Sequence, residues 1–390
     1  MRVAATAALL AGIAAPSAHA FDPAVEAKNF SKTTERQATY MTPAGQLLLR
    51  QVGQANQQAA LQAQLDDPER AFVSDLCWNG YDGCAGEFRL YDWAAKGYGI
   101  VEPVLFTARN GATLSGHVWA TKAGPAKRPG VVITNGSVQA DEAMYWWAAQ
   151  TLAKAGYVVL TFDPQGQGQS DTPGEGADRN EGVPAQSDGR PFFDGSVDAL
   201  NFFLSTADKP YEPQKSCTTG TSHAAKQDRR VKAGLNAAFN PFWQLLDPSR
   251  IGIAGHSYGA AGVSYVGQSD PRVKAIVAWD NLGGTDPSGR EQPCPADPAQ
   301  RAVAPITKPA LGIAADYFLP PTPNTGDPDP AAKSVWSHTY SAAGVDTGEL
   351  IIRGGSHLDF SYIPNNAFGA SLRGTDLAAW YTTAWFDKYV

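Results

Sequence analysis

Arg250-Ile-Gly-Ile-Ala-Gly-His-Ser-Tyr-Gly259 decides the reading of this chain. Arg250–Ala254 is a short run of alternating β-branched and small residues, the pattern of a buried strand. Gly255-His256-Ser257-Tyr258-Gly259 follows, and a stretch of small residues from Tyr258 then reads as a helix. Strand, sharp turn and helix are the setting in which G-x-S-x-G forms a nucleophile elbow. A serine at such a turn sits in strained backbone, so its neighbours two residues away must be glycine or small. The turn lifts the hydroxyl clear of the sheet and aims the helix N-terminus, with its unpaired N–H groups, at the same point.

Strand-like runs alternate with helical stretches on both sides of this turn. Residues 99–108 and 113–121 read as two strands joined at Asn110-Gly111, a hairpin signal. Val131–Thr134, Tyr157–Phe162, Val273–Trp279, Ala310–Ala314 and Leu350–Arg353 read as further strands, with a helix over Asp141–Ala155. A closing helix over 374–389 is expected to bury Leu377, Trp380, Tyr381, Ala384 and Trp385 on one face. This alternation argues for an α/β fold with a mostly parallel central sheet flanked by helices. Three Pro-, Asp- and Gly-rich stretches, near 207–247, 281–308 and 317–346, break the rhythm and read as lid or cap insertions.

The first twenty residues read as an address. Arg2 precedes the apolar run at 3–15, and Ala18-His19-Ala20 has the form of a cleavage site after Ala20. That run is too short to span a bilayer, so the expectation is a secreted or periplasmic protein with no stable membrane span. Residues 21–98 then form an N-terminal extension, with a helix expected over 43–66, before a catalytic domain at 99–390. Cys77 and Cys84 flank a turn-rich loop and are expected to pair locally, leaving Cys217 with Cys294; four cysteines allow three pairings. With 43% hydrophobic residues and a net charge of −7, the chain can build a large core. It lacks the basic stripe of a nucleic-acid binder.

A serine hydroxyl needs a base. His19 leaves with the leader, His117 lies mid-strand, His256 flanks the serine, and His223 and His338 sit in insertions. By elimination the base is His357, in Gly354-Gly355-Ser356-His357 after the last strand. In an open α/β sheet, catalytic groups collect at the carboxyl ends of strands. Asp316 and Asp280 both end strands between the serine and His357 in the order Ser, Asp, His. Asp316 is preferred as the orienting acid, with Asp280 as a loop cap and Asp359 as a third option. The backbone N–H groups of Tyr258 and Ser137, the latter in Asn135-Gly136-Ser137, are the expected oxyanion donors. Asp163–Ser170 has glycines but lacks a complete G-x-G-x-x-G, and no P-loop is present, so it reads as a tight turn. Asp327 and Asp329 lack an EF-hand pattern. No cofactor, metal or nucleic-acid partner is expected; the expected partner is a small or polymeric ester.

Together these motifs resemble those of secreted α/β-hydrolases of esterase or lipase type, over residue 99 to the end. The carrying residues are GHSYG at 255–259, Asn135–Ser137, DPQGQGQS at 163–170, Asp316 and GGSH at 354–357. A narrower similarity, through Trp279-Asp280, Ala314–Pro320 and GGSH, is to cutinase-like polyester hydrolases. It implies a triad of Ser257, Asp316 and His357, with Trp279 as a wall of the substrate pocket. The N-terminal extension and the insertions depart from that family and would cover the cleft, so a smaller ester fits as well as a polymer. The resemblance implies cleavage of carboxylic esters through an acyl-enzyme. Ser-Tyr-Gly at the elbow also resembles dipeptidyl- and prolyl-peptidases, which makes peptide cleavage the alternative. A catalytically silent binding module is the reading from outside enzymology.

Overall fold

The computed structural model describes residues 65–70, 99–137, 141–183, 189–286, 303–317, 330–361 and 372–390, with scattered positions between 43 and 97. The expected leader at 1–20, Cys77, Cys84, Cys294 and most of the expected 43–66 helix lie outside the described residues. Cys217, the cysteine among them, carries no free thiol.

Eight strands form one sheet in the order β1-β2-β4-β3-β5-β6-β7-β8. They are β1 (Gly99–Thr107), β2 (Thr113–Thr121), β3 (Arg128–Thr134), β4 (Val158–Phe162), β5 (Leu246–His256), β6 (Val273–Trp279), β7 (Ala310–Tyr317) and β8 (Thr347–Ser356). β1 and β2 form the expected antiparallel hairpin, and Gly111 at its turn has φ +87, open to glycine at no steric cost. β2 pairs antiparallel with β4, and every remaining pair is parallel. The helices whose bounds fall among the described residues are α1 (Trp146–Lys154), α2 (Arg190–Phe203), α3 (Ala224–Lys232), α4 (Tyr258–Ser269), α5 (Pro330–Lys333), α6 (Val335–Ala342) and α7 (Leu372–Tyr389).

The sheet separates two cores, because successive side chains on a strand point to opposite faces. Val131 and Ile133 of β3 join Trp147 and Leu152 of α1 and Ala378 and Phe386 of α7 on one face. Val132 joins Leu200 and Phe203 of α2, Val263 of α4 and Tyr340 of α6 on the other. Complete burial of a large apolar side chain contributes about 1.5–3 kcal/mol. No helix among the described residues is long and apolar enough to cross a membrane.

Two expectations change. The 207–247 and 317–346 stretches are not only loop: the latter carries α5 and α6, and the former carries α3, whose buried Arg230 makes a two-pronged ion pair with Asp67 and so ties residues 66–70 to the sheet. In α7 the buried face runs through Thr375, Ala378, Thr382 and Phe386, while Trp380 is 64% exposed. Gly252 on β5 explains the second difference: a Cβ there would lie 2.6 Å from the Phe386 ring, so helix and sheet approach closely along the Phe386 line.

Candidate active site

Ser257 sits between β5 and α4 with φ 57 and ψ −120. Among the described residues only Ser257 and Asp280 are non-glycine residues with positive φ. Such backbone costs about 1–3 kcal/mol and persists where the surroundings over-determine it. Here they do. A Cβ on Gly255 would lie 2.4 Å from the Gly259 carbonyl, and one on Gly259 would lie 2.3 Å from the Thr134 carbonyl. The glycines of the motif are thus required by backbone contact. The Ser257 N–H donates to the Trp279 carbonyl at 3.0 Å, fastening the elbow to β6. The Ser257 hydroxyl makes no hydrogen bond among the described residues; such bonds often tighten only when substrate arrives.

His357 opens a short 3-10 turn, His357–Phe360, directly after β8. Ser356 and Asp359 form a capping box around it, so Asp359 serves the backbone. The carboxylate on the imidazole is Asp280: its Oδ2 lies 2.6 Å from His357 Nδ1. Asp280 Oδ1 accepts from the Ala315 N–H at 3.2 Å and from Lys333 Nζ at 3.2 Å. Burial raises the Asp280 carboxyl, but the His357 hydrogen bond and the Lys333 charge outweigh it and hold the group below its ordinary range.

Asp316, expected in that place, is engaged elsewhere. Its Oδ2 accepts from the Gly354 N–H at 2.7 Å and pairs with Arg353 at 3.2 Å. Strand register gives the reason. His256 on β5 pairs with Trp279 on β6, which pairs with Ile313 on β7. Asp280 therefore leaves its strand level with Ser257, whereas Asp316 lies three residues past Ile313, about 10 Å along the strand. Asp316 instead pins the irregular stretch between β7 and β8 that leads to His357.

The other histidines have separate partners or are exposed. His117 Nδ1 lies 2.5 Å from Glu142 Oε1, His223 Nε2 lies 3.0 Å from Asp178, and His338 is exposed. Trp279, expected as a pocket wall, is fully buried in the α7-side core. Its indole donates to Thr382 Oγ1 at 3.0 Å, so it faces the C-terminal helix rather than a cleft.

The Asn135–Ser137 loop packs on the elbow: a Cβ at Gly136 would stand 3.1 Å from Ser257 Cβ. The Gly136 N–H donates to the Tyr145 hydroxyl at 3.2 Å. The N–H groups of Ser137 and Tyr258, the two expected oxyanion donors, have no acceptor among the described residues. Asp163 supports this loop from below. It accepts from Asn135 Nδ2 at 3.0 Å and from the Glu142 N–H at 2.7 Å. The glycine turn expected at 163–170 wraps this carboxylate, with the Gln169 N–H bonded to it at 2.9 Å. Burial and the nearby acids Asp141 and Glu142 push the Asp163 carboxyl up.

Three contributors were not singled out from sequence. Lys333 lies in the third insertion and Tyr145 precedes α1; nothing local marks either. His256 was visible in the motif, but its bonds depend on segments far away in the chain. No cluster of metal-binding side chains occurs among the described residues.

The eight-stranded sheet and the strained serine between β5 and α4 define an α/β-hydrolase. The chain belongs to the dienelactone hydrolase family, whose sequence model matches residues 116–317, just over half of it. No curated protein matches the sequence. Among solved structures it is similar to a putative dienelactone hydrolase from Klebsiella pneumoniae at 14% identity, covering 75% of this chain and 99% of that one, TM-score 0.45. It is also similar to a ferulic acid esterase from Streptomyces cinnamoneus at 16% identity, covering 75% and 89%, TM-score 0.46. An acylaminoacyl peptidase from Pyrococcus horikoshii matches at 14% identity over 78% of this chain and 44% of the peptidase, TM-score 0.46.

Proposed function

We propose that this protein hydrolyses carboxylic esters through an acyl-enzyme, with Ser257 as nucleophile, His357 as base and Asp280 as orienting acid. The observation that carries the reading is the 2.6 Å bond from Asp280 to His357 Nδ1, which leaves Nε2 as the proton-accepting nitrogen. The Ser257 oxygen attacks the acyl carbon as His357 Nε2 takes its proton. The oxyanion accepts hydrogen bonds from the Ser137 and Tyr258 N–H groups. Collapse breaks the bond to the leaving alcohol, which receives the proton from His357. Water then repeats the sequence on the acyl-enzyme, releasing the acid and freeing Ser257. Asp280 stays ionised throughout, balancing the imidazolium.

A fluorophosphonate probe and a short-chain p-nitrophenyl ester test this. Wild type is expected to be labelled at Ser257 and to turn over the ester, and Ser257→Ala to do neither. Ester turnover by Ser257→Ala at the wild-type rate overturns the reading. Aminoacyl-nitroanilides, assayed in parallel, distinguish ester from amide preference; faster cleavage of the anilide would favour a peptidase. The leader at 1–20 supports export, with Phe21 expected as the first residue of the mature chain. N-terminal sequencing of secreted material that began elsewhere would refute that cleavage site.

A further inference from the structure

His256, beside the nucleophile, is a buried polar side chain with both ring nitrogens bonded. Its Nε2 lies 2.9 Å from the backbone carbonyl oxygen of His357. A carbonyl only accepts, so Nε2 carries the proton. In the neutral ring Nδ1 is then an acceptor, and its partner at 2.7 Å, the Tyr145 hydroxyl, must donate. The Tyr145 oxygen in turn accepts from the Gly136 N–H. Every bond in the chain therefore has one allowed direction: Gly136 to Tyr145, Tyr145 to His256, His256 to His357. Burial and the neighbouring His357 push the His256 ring well below its ordinary range, consistent with the neutral form this pattern needs.

The chain joins three segments that approach one another only in the folded protein. Gly136 belongs to the loop on the elbow, His256 precedes the nucleophile, and His357 carries the base. The His256 and His357 rings lie 4.5 Å apart, and the Tyr145 ring stacks on buried Trp279 with centroids 6.3 Å apart. The Tyr145 end is thereby fixed by the core, while the His256 end holds the main chain from which the imidazole projects.

We propose that Tyr145 and His256 are positioning residues, a directed hydrogen-bond strut that sets the His357 imidazole and the Gly136–Ser137 loop in a fixed relation to the Ser257 hydroxyl. The inference rests on the proposed roles of Ser257 and His357. Neither Tyr145 nor His256 exchanges a proton with substrate; they act through the backbone of the groups that do.

The test compares kcat, KM and Tm of the whole protein on a soluble p-nitrophenyl ester for wild type, Tyr145→Phe, His256→Phe, His256→Gln and the Tyr145→Phe/His256→Phe double variant. His256→Phe keeps a ring in the space but removes both bonds. It is expected to lower kcat about a hundredfold with KM changed less than about threefold, the scale of an ångström-sized displacement of a catalytic group. Tyr145→Phe, which loses one oxygen atom, is expected to lose about ten- to thirtyfold in kcat. The double variant should be no slower than about twofold below His256→Phe, because both changes cut one chain. His256→Gln is the rescue: its amide N–H can donate to the His357 carbonyl and its oxygen can accept from Tyr145. It should recover kcat to within about fivefold of wild type. A role confined to stability would lower Tm without this pattern of rescue. Wild-type kcat in both phenylalanine variants overturns the proposal, as do equal losses in His256→Gln and His256→Phe at equal Tm, or additive losses in the double variant. If His256→Phe does not fold, Tyr145→Phe and His256→Gln decide alone. Normal turnover by Ser257→Ala would instead overturn the serine mechanism, so the two failures are distinct.

Discussion

Replacing Asp280 by Asn tests the acid assignment through the tautomer it imposes. The two partners of Asp280 Oδ1, the Ala315 N–H and the Lys333 ammonium, are both donors. In Asp280→Asn the amide oxygen is drawn to that side, which places the NH2 group where Oδ2 now faces His357 Nδ1. A donor there obliges Nδ1 to accept and moves the imidazole proton to Nε2, facing the serine. The base is then blocked by its own proton, and no anion remains to balance the imidazolium. The expected loss in kcat is about a thousand- to ten-thousandfold, a barrier increase of about 4–5.5 kcal/mol. Asp316→Asn is the control. Its amide oxygen can still accept from the Gly354 N–H, and the ion pair it loses is to Arg353, which is nearly half exposed. Such a pair contributes at most about 1 kcal/mol, so kcat should stay within about threefold of wild type. Steady-state hydrolysis of a p-nitrophenyl ester at pH 8, with Tm measured for each variant, gives the comparison. A larger loss in Asp316→Asn than in Asp280→Asn would refute the reasoning, as would Asp280→Asn retaining more than about a tenth of the wild-type kcat.

The remaining predictions concern the surroundings of that acid and the elbow. The depressed Asp280 carboxyl contributes stability that is present above its unfolded value and lost as pH falls through its folded value. Lys333→Met weakens that contribution, so its Tm deficit should be full above about pH 5 and shrink as pH falls below the ordinary carboxylate value of about 3.9, because protonation of Asp280 removes the partner of the ammonium. A constant deficit across that range would rule this out. Burial pushes the Glu349 carboxyl from 4.5 up to about 7, against the opposing Ser337 hydroxyl and with a further push from Asp280. Between those values the folded state keeps a proton that the unfolded chain releases, so stability falls as pH rises through that window. Glu349→Gln should therefore raise Tm at pH 8 and leave it unchanged at pH 4, and parallel Tm–pH curves for the two proteins would disprove it. Gly259→Ala places a methyl group 2.3 Å from the Thr134 carbonyl, a backbone atom with no rotamer to yield. A destabilisation of at least about 2 kcal/mol in urea unfolding, together with lost ester turnover, is expected; a variant as stable and active as wild type would show that the elbow can relax.

The elbow was legible because its glycines answer to backbone crowding at the turn itself: Gly255 meets the Gly259 carbonyl and Gly259 meets the Thr134 carbonyl at the end of the adjacent β3, and the motif encodes that need for small residues directly. The strand count was legible for the same reason, since each strand carries its own apolar run and its own turn. The acid was not. Asp280 and Asp316 each follow an apolar strand, and composition alone gives no means of ranking them. What separates them is how far each strand runs beyond the line on which His256, Trp279 and Ile313 are paired. β6 stops at Trp279, whereas β7 continues through Asp316 to Tyr317 because β8 supplies a partner in Ser356. That length is a property of the pair of strands, written in neither one. The same holds for Trp279, whose burial follows from the placement of α7, and for Lys333, which reaches Asp280 across 53 residues of chain. In this protein a residue's presence at a strand end could be read from its own segment, but its height at the sheet edge could not. The height decides whether a carboxylate meets the imidazole or pins the backbone beside it.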